Sequence, residues 1–125
     1  LDRFSKEGFD VFPGSETFLL AGMRNGGKGC ISATANVNPA AIHKLYANWQ
    51  SADADQLQAG LDQVRGIFQK YPMIPAMKRA VAHWSGHAGW ATVRPPLVEL
   101  GAEQSAALIA ELKQAGFSMP GLDAA

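Results

Sequence analysis

The residues of this chain best suited to chemistry gather in one stretch, Gly26-Gly27-Lys28-Gly29-Cys30-Ile31-Ser32-Ala33-Thr34-Ala35-Asn36-Val37-Asn38-Pro39. A glycine turn there leads into a run of small residues ending in Ser32, Thr34 and Asn36. Hydroxyls and an amide at the far end of a buried strand bind ligands through hydrogen bonds, but by themselves they start no reaction. No acid, base or nucleophile that would complete a catalytic set stands beside them. Cys30 lies in an apolar run and reads as packing rather than as a nucleophile. His83 and His87 have the spacing of a helical metal pair, yet Ser85-Gly86 breaks the helix between them and no acidic third ligand is near, so the spacing reads as chance. No metal or organic cofactor is expected. His43 reads as a surface residue, and Trp49, Trp84 and Trp90 as core or domain-interface aromatics.

The elements that must position these groups begin with a short helix, Leu1-Asp2-Arg3-Phe4, terminated at Gly8. Phe9-Asp10-Val11-Phe12 is β-prone and stops at Pro13-Gly14, after which Ser15 is an N-cap with Glu16 in the first turn. Phe18, Leu19, Leu20 and Met23 crowd one helical face until Asn25-Gly26-Gly27, and a second strand starts at about Gly29. Asn38 as N-cap and Pro39 at the first helical position open the next helix, with Ile42, Leu45, Tyr46 and Trp49 at helical spacing. The order so far is βαβα. From Ser51 on, strand signals vanish. Leu57, Leu61, Val64 and Phe68 mark a helix ending near Tyr71-Pro72. Pro75 opens another, with Met77, Val81 and Trp84, ending at Gly86. A long connection containing Val93-Arg94-Pro95-Pro96-Leu97 leads to a last helix carrying Leu108, Ile109 and Leu112, and the tail beyond Phe117 reads as loose.

The chain has 125 residues, 47% of them hydrophobic, which suits one ordinary globular domain and excludes a disordered segment. Eleven basic and eleven acidic side chains cancel, so no field recruits nucleic acid or an anionic membrane. No apolar run is long enough to cross a bilayer, and the first residues form no signal or transit peptide. The single Cys30 suits a reducing compartment, and a cytoplasmic location is expected. Alternating strands and helices predict an α/β fold with parallel pairing. Two βα units are too few for a sheet. They read as the last quarter of a (β/α)₈ barrel, which needs about 250 residues, or as the end of an open doubly wound sheet. A chain that starts inside an element reads as a fragment of something longer.

Four motifs carry a resemblance along essentially the whole chain: Phe12-Pro13-Gly14-Ser15-Glu16, Gly26-Gly27-Lys28-Gly29-Cys30-Ile31-Ser32-Ala33-Thr34-Ala35-Asn36, Ile74-Pro75-Ala76-Met77-Lys78 and Arg94-Pro95-Pro96-Leu97. The chain resembles the C-terminal part of the dihydrodipicolinate synthase and N-acetylneuraminate lyase family of pyruvate-dependent class I aldolases. The resemblance implies the seventh and eighth strands of the barrel with their helices over residues 1–51 and an all-helical C-terminal domain over 52–125. It implies a lyase, most like 4-hydroxy-tetrahydrodipicolinate synthase, that binds pyruvate or another 2-oxo acid as a lysine Schiff base and uses an aldehyde as co-substrate. Relatives cleaving hydroxy-oxoglutarate or sugar-acid derivatives are the alternative, as is a non-catalytic truncated fragment. A homo-oligomeric parent, dimer or tetramer, is implied as well.

The family's Schiff-base lysine and proton-relaying tyrosine would both precede Leu1, so no catalytic residue is expected in this chain. By position, the resemblance assigns substrate binding to Gly14 at the turn, to the backbone carbonyl of Ile31, to Ser32 as a grip on the substrate carboxylate, and to Glu16 where sugar-acid lyases bind hydroxyls. Thr17 does not keep the acidic character of its counterpart, which argues against sialic acid. Lys28 does not replace the missing amine. It precedes its strand, and five residues at about 3.3 Å each put it roughly 17 Å from the pocket. Alternation sends Cys30, Ser32 and Thr34 to one face and Ile31, Ala33 and Ala35 to the other, with the hydroxyls inward. Arg94 is expected to tie the long connection to helix ends.

Overall fold

The computed structural model describes residues 1–122. It divides into two compact units, one ending at Asp62 and the other starting at Gln63. Among the described residues the order of α-helices is α1 (Asp2–Lys6), α2 (Leu19–Arg24), α3 (Pro39–Ala47), α4 (Ala54–Phe68), α5 (Met73–Ser85) and α6 (Ala102–Gln114), with 3-10 turns at Glu16–Phe18, Ala33–Asn36 and Ala88–Ala91. The unit division falls inside α4.

The first unit corrects the expected strands. Segments 9–13 and 28–32 run side by side in the same direction, joined by Lys28 N donating to Val11 O at 2.9 Å and Ile31 N donating to Pro13 O at 3.0 Å. Among the described residues they form no regular strand. Two physical reasons combine. Pro13 has no N–H to return a bond, and three steps on one segment face two on the other, which is a bulge. Gly29 takes φ +151°, a conformation side chains rarely adopt, inside that bulge. The second segment is also shorter than expected, because Ala33–Asn36 winds into a 3-10 turn.

Several other local signals are realised and some are not. The Ser15 side chain caps by accepting from Thr17 N at 3.2 Å. Gly27 closes α2 by donating its N–H to Gly22 O at 2.8 Å, and a Cβ on Gly27 would sit 2.8 Å from that same oxygen. Pro39 opens α3, although the Asn38 side chain makes no cap bond. The core of the unit is Leu19, Leu20, Ile42, Leu45, Ala54 and Leu61, with Met23, Cys30 and Trp49 packed on it. Each of the larger aliphatic side chains contributes about 1.5–3 kcal/mol when fully buried. Tyr46 and Phe18, expected on apolar faces, are exposed instead.

In the second unit α5 begins at Met73, two residues before the expected Pro75. Proline is accepted there because first-turn N–H groups have no partner within the helix. Phe68 meets Phe117 edge-on at 6.0 Å, and Trp84 meets Phe117 at 5.1 Å, which anchors the chain after α6 against the helices. Met119 is buried, so the expected loose tail is packed at least to that residue; 123–125 lie outside the described residues. Trp90 is 54% exposed and is not a core residue of its unit.

Candidate functional site

Glu16 starts the 3-10 turn behind the Ser15 cap, and its side chain is 2% exposed. Packing of segment 28–32 beside segment 9–13 brings two hydroxyls to it. Ser32 Oγ donates to Glu16 Oε2 and Thr34 Oγ1 donates to Glu16 Oε1. The two hydroxyl oxygens lie 3.2 Å apart. Ser32 is 9% and Thr34 1% exposed. A buried carboxylate is stable only with such donors, so the three side chains form one unit. Gln58 of α4 fixes the backbone around it: its Nε2 donates to Glu16 O at 3.0 Å and its Oε1 accepts from Leu20 N at 3.1 Å.

Each hydroxyl carries one proton. With Glu16 ionised, Ser32 and Thr34 both commit theirs to the carboxylate, and Ser32 Oγ offers only lone pairs to anything else. It then accepts from a ligand hydroxyl or a water and cannot at the same time donate to a second carboxylate. Cys30, half-buried on the same side, has its thiol pKa pushed up by burial first and by the Glu16 charge second. Protonated and uncharged, it packs rather than attacks.

The expected alternation is realised by exposure, with Ser32 and Thr34 buried and Ile31, Ala33 and Ala35 exposed. Of the four residues assigned to substrate binding, the structure joins Glu16 and Ser32. Ile31 follows with its side chain 73% exposed and its N–H held by Pro13. Gly14 is exposed, and a Cβ there would meet nothing within 4 Å. Sequence reasoning overlooked Gln58. Its signal was present, since Gln58 stands four after Ala54 and three before Leu61, on the stripe those buried residues define.

His83 ends up on α5, while His87 lies beyond its end and accepts from Gly89 N through Nδ1 at 3.2 Å. Among the described residues no cluster of three His, Cys, Asp or Glu could hold a metal ion. No described helix is long and apolar enough to cross a membrane.

Residues 2–115 match the Dihydrodipicolinate synthetase family. A 4-hydroxy-tetrahydrodipicolinate synthase from Methanopyrus kandleri is 32% identical over 124 residues, covering 94% of this chain and 40% of that protein. A putative mitochondrial 4-hydroxy-2-oxoglutarate aldolase from Coccidioides immitis is 42% identical over 48 residues, 38% of this chain and 15% of that protein. Among solved structures, the prophage protein YagE from E. coli, a member of the dihydrodipicolinic acid synthase family crystallised with pyruvate, superposes with a TM-score of 0.79. That alignment has 26% identity and covers 93% of this chain and 40% of that one. The chain thus spans well under half the length of the relatives it matches. Its match over residues 2–115 and its likeness to these proteins agree: the chain belongs to the dihydrodipicolinate synthetase family.

Proposed function

We propose that the protein containing these residues is a lyase or aldolase that forms a Schiff base between a lysine and pyruvate or another 2-oxo acid. An aldehyde is the second substrate, and 4-hydroxy-tetrahydrodipicolinate synthase is the nearest activity. The family match over residues 2–115 carries the proposal. In this reading residues 1–51 supply the last two units of a (β/α)₈ barrel, residues 52–125 an appended helical domain, and the assembled enzyme is a dimer or tetramer. Gly14, the Ile31 carbonyl, Ser32 and Glu16 form one wall of the 2-oxo acid pocket. Glu16 acts there through Ser32, holding its hydroxyl so that the oxygen accepts from a water or from a hydroxyl of the second substrate, and the expected grip of Ser32 on the substrate carboxylate passes to other donors.

The reacting amine belongs to another part of the protein. Lys28 is exposed and lies at the entering end of its segment, away from the C-terminal ends where barrel chemistry occurs. Taken alone, the 125 residues are therefore non-catalytic.

Borohydride added with pyruvate tests this directly. The whole protein should gain one reduced pyruvyl group on a lysine outside these residues; no adduct refutes the Schiff base, and an adduct on Lys28 refutes the placement. The second reading, an aldolase cleaving 4-hydroxy-2-oxoglutarate, is favoured by the 42% identity to the Coccidioides protein. Release of pyruvate from that compound, without condensation activity, would select it over the synthase.

A further inference from the structure

The second unit holds a groove for which the lyase chemistry has no use. Arg79 and His83 stand four apart on α5 and share one edge of that helix. On α6, Ala102, Ser105, Ala106 and Ile109 follow the i, i+3, i+4, i+7 spacing of a single stripe. Alanines at two of those positions leave space where larger side chains would interlock. The result is an open groove of about 510 Å³ lined by these six residues and Leu100, with His83, Ala102 and Ala106 exposed along it, within the size range of small-molecule sites.

Its chemistry is one-sided. Arg79 Nε is enclosed and has no hydrogen-bond partner among the described residues, so that part of the cation is uncompensated and a ligand in the groove can meet the guanidinium only at its other nitrogens. Ser105 does not supply one, being turned to donate its proton to Leu100 O at 3.3 Å. No lining residue is acidic. Burial first, then the charges of Lys113 and Arg79, push the His83 pKa below its ordinary value. A negative charge placed here would compensate the Arg79 cation and a protonated His83. The rest of the wall, Leu100, Ala102, Ala106 and Ile109, is apolar.

We propose that this groove binds a small aliphatic carboxylate, its oxygens paired with the Arg79 guanidinium beside His83 and its carbon chain lying on Leu100, Ala106 and Ile109. A carboxylate matches the flat edge of a guanidinium with two parallel hydrogen bonds. A bare phosphate would leave the apolar half of the wall unused.

All the residues belong to the second unit, so the site stands or falls independently of the Schiff-base chemistry. The test is calorimetric titration of the whole protein with hexanoate, in saturating pyruvate so that any 2-oxo acid pocket is occupied. Saturable binding is expected, weakened at least tenfold by Arg79→Gln and by Ala106→Phe, which fills the groove while keeping the arginine. The His83 ring proton should titrate at higher pH with hexanoate bound than without. Absence of saturable binding, equal binding in Ala106→Phe, or equal binding of hexylamine would overturn the proposal. Tighter binding of inorganic phosphate than of hexanoate would overturn the aliphatic part of it. Should Arg79→Gln fail to fold, Ala106→Phe and the His83 titration decide.

Discussion

Thr34→Val removes one hydroxyl and nearly conserves the shape of a residue that is 1% exposed. The lost group is the donor to Glu16 Oε1. Hydrogen bonds to charged groups contribute about 1.5–3 kcal/mol, so a loss of about 2 kcal/mol of stability is expected. Ser15 Oγ donates to the other oxygen, Oε2, at 3.5 Å. Urea denaturation of the whole protein measures the effect as a shift in midpoint at unchanged m. Thr34→Ser keeps the bond and forfeits one buried methyl, about 0.8 kcal/mol. In a Glu16→Gln background the same Thr34→Val step should cost under about 1 kcal/mol, because the bond it removes is then between neutral groups. A loss below about 0.5 kcal/mol in the unaltered background, or an equal loss in both, would refute the view of Glu16 as a carboxylate held by two hydroxyls.

Gln58→Met should cost about 1–2 kcal/mol in thermal denaturation, since Leu20 N–H loses its partner while Glu16 C=O keeps only the Leu19 N–H. Gly27→Ala should be strongly destabilising because its Cβ would meet Gly22 O at 2.8 Å, whereas Gly14→Ala should leave stability unchanged and weaken 2-oxo acid binding if that turn lines the pocket. The hydrogen bond from Lys70 first, then that from Tyr71, holds the Glu111 carboxyl below the usual carboxylate range. This contribution is therefore complete above the unfolded carboxylate pKa, about 4.3, and disappears as pH falls through the lowered folded value. Lys70→Met with Tyr71→Phe should flatten the acid limb of the stability profile and leave its alkaline limb free of the Lys70 contribution.

What the sequence revealed about this fold was mostly local. The Ser15 cap, the proline opening α3 and the apolar stripe of α4 each depend on residues within a turn or two of one another, and each is realised. Segments 9–13 and 28–32 form no regular strands because regular pairing depends on a partner. Pro13 offers that partner no N–H, and no periodicity reports where a bulge will fall. For the site, alternation put Ser32 and Thr34 on one side, and the structure keeps them there although only Ser32 is extended and Thr34 lies in the 3-10 turn that follows. The resemblance named Glu16 only as a substrate-binding position, and no pattern pairs it with the two hydroxyls. Glu16 lies 16 and 18 residues away in sequence, and Gln58 is 42 beyond it. Only packing brings them into reach, and Tyr46 and Trp90 show the converse, apolar residues whose exposure no spacing announces.

The bulge has a consequence for chain length. In an unbroken strand Lys28 would share a side with Ser32, four residues on, and would point to the buried side of the segment. With an odd number of steps between the two bonded amides, Lys28 and Ile31 instead look the same way, outward, and the carboxylate keeps hydroxyls as its neighbours. Shortening the segment by one residue at Gly29 would preserve both amide bonds and this parity, turning the bulge into an even ladder. Single-residue length variation, ordinarily ruinous beside a buried carboxylate, has one position here where the geometry permits it.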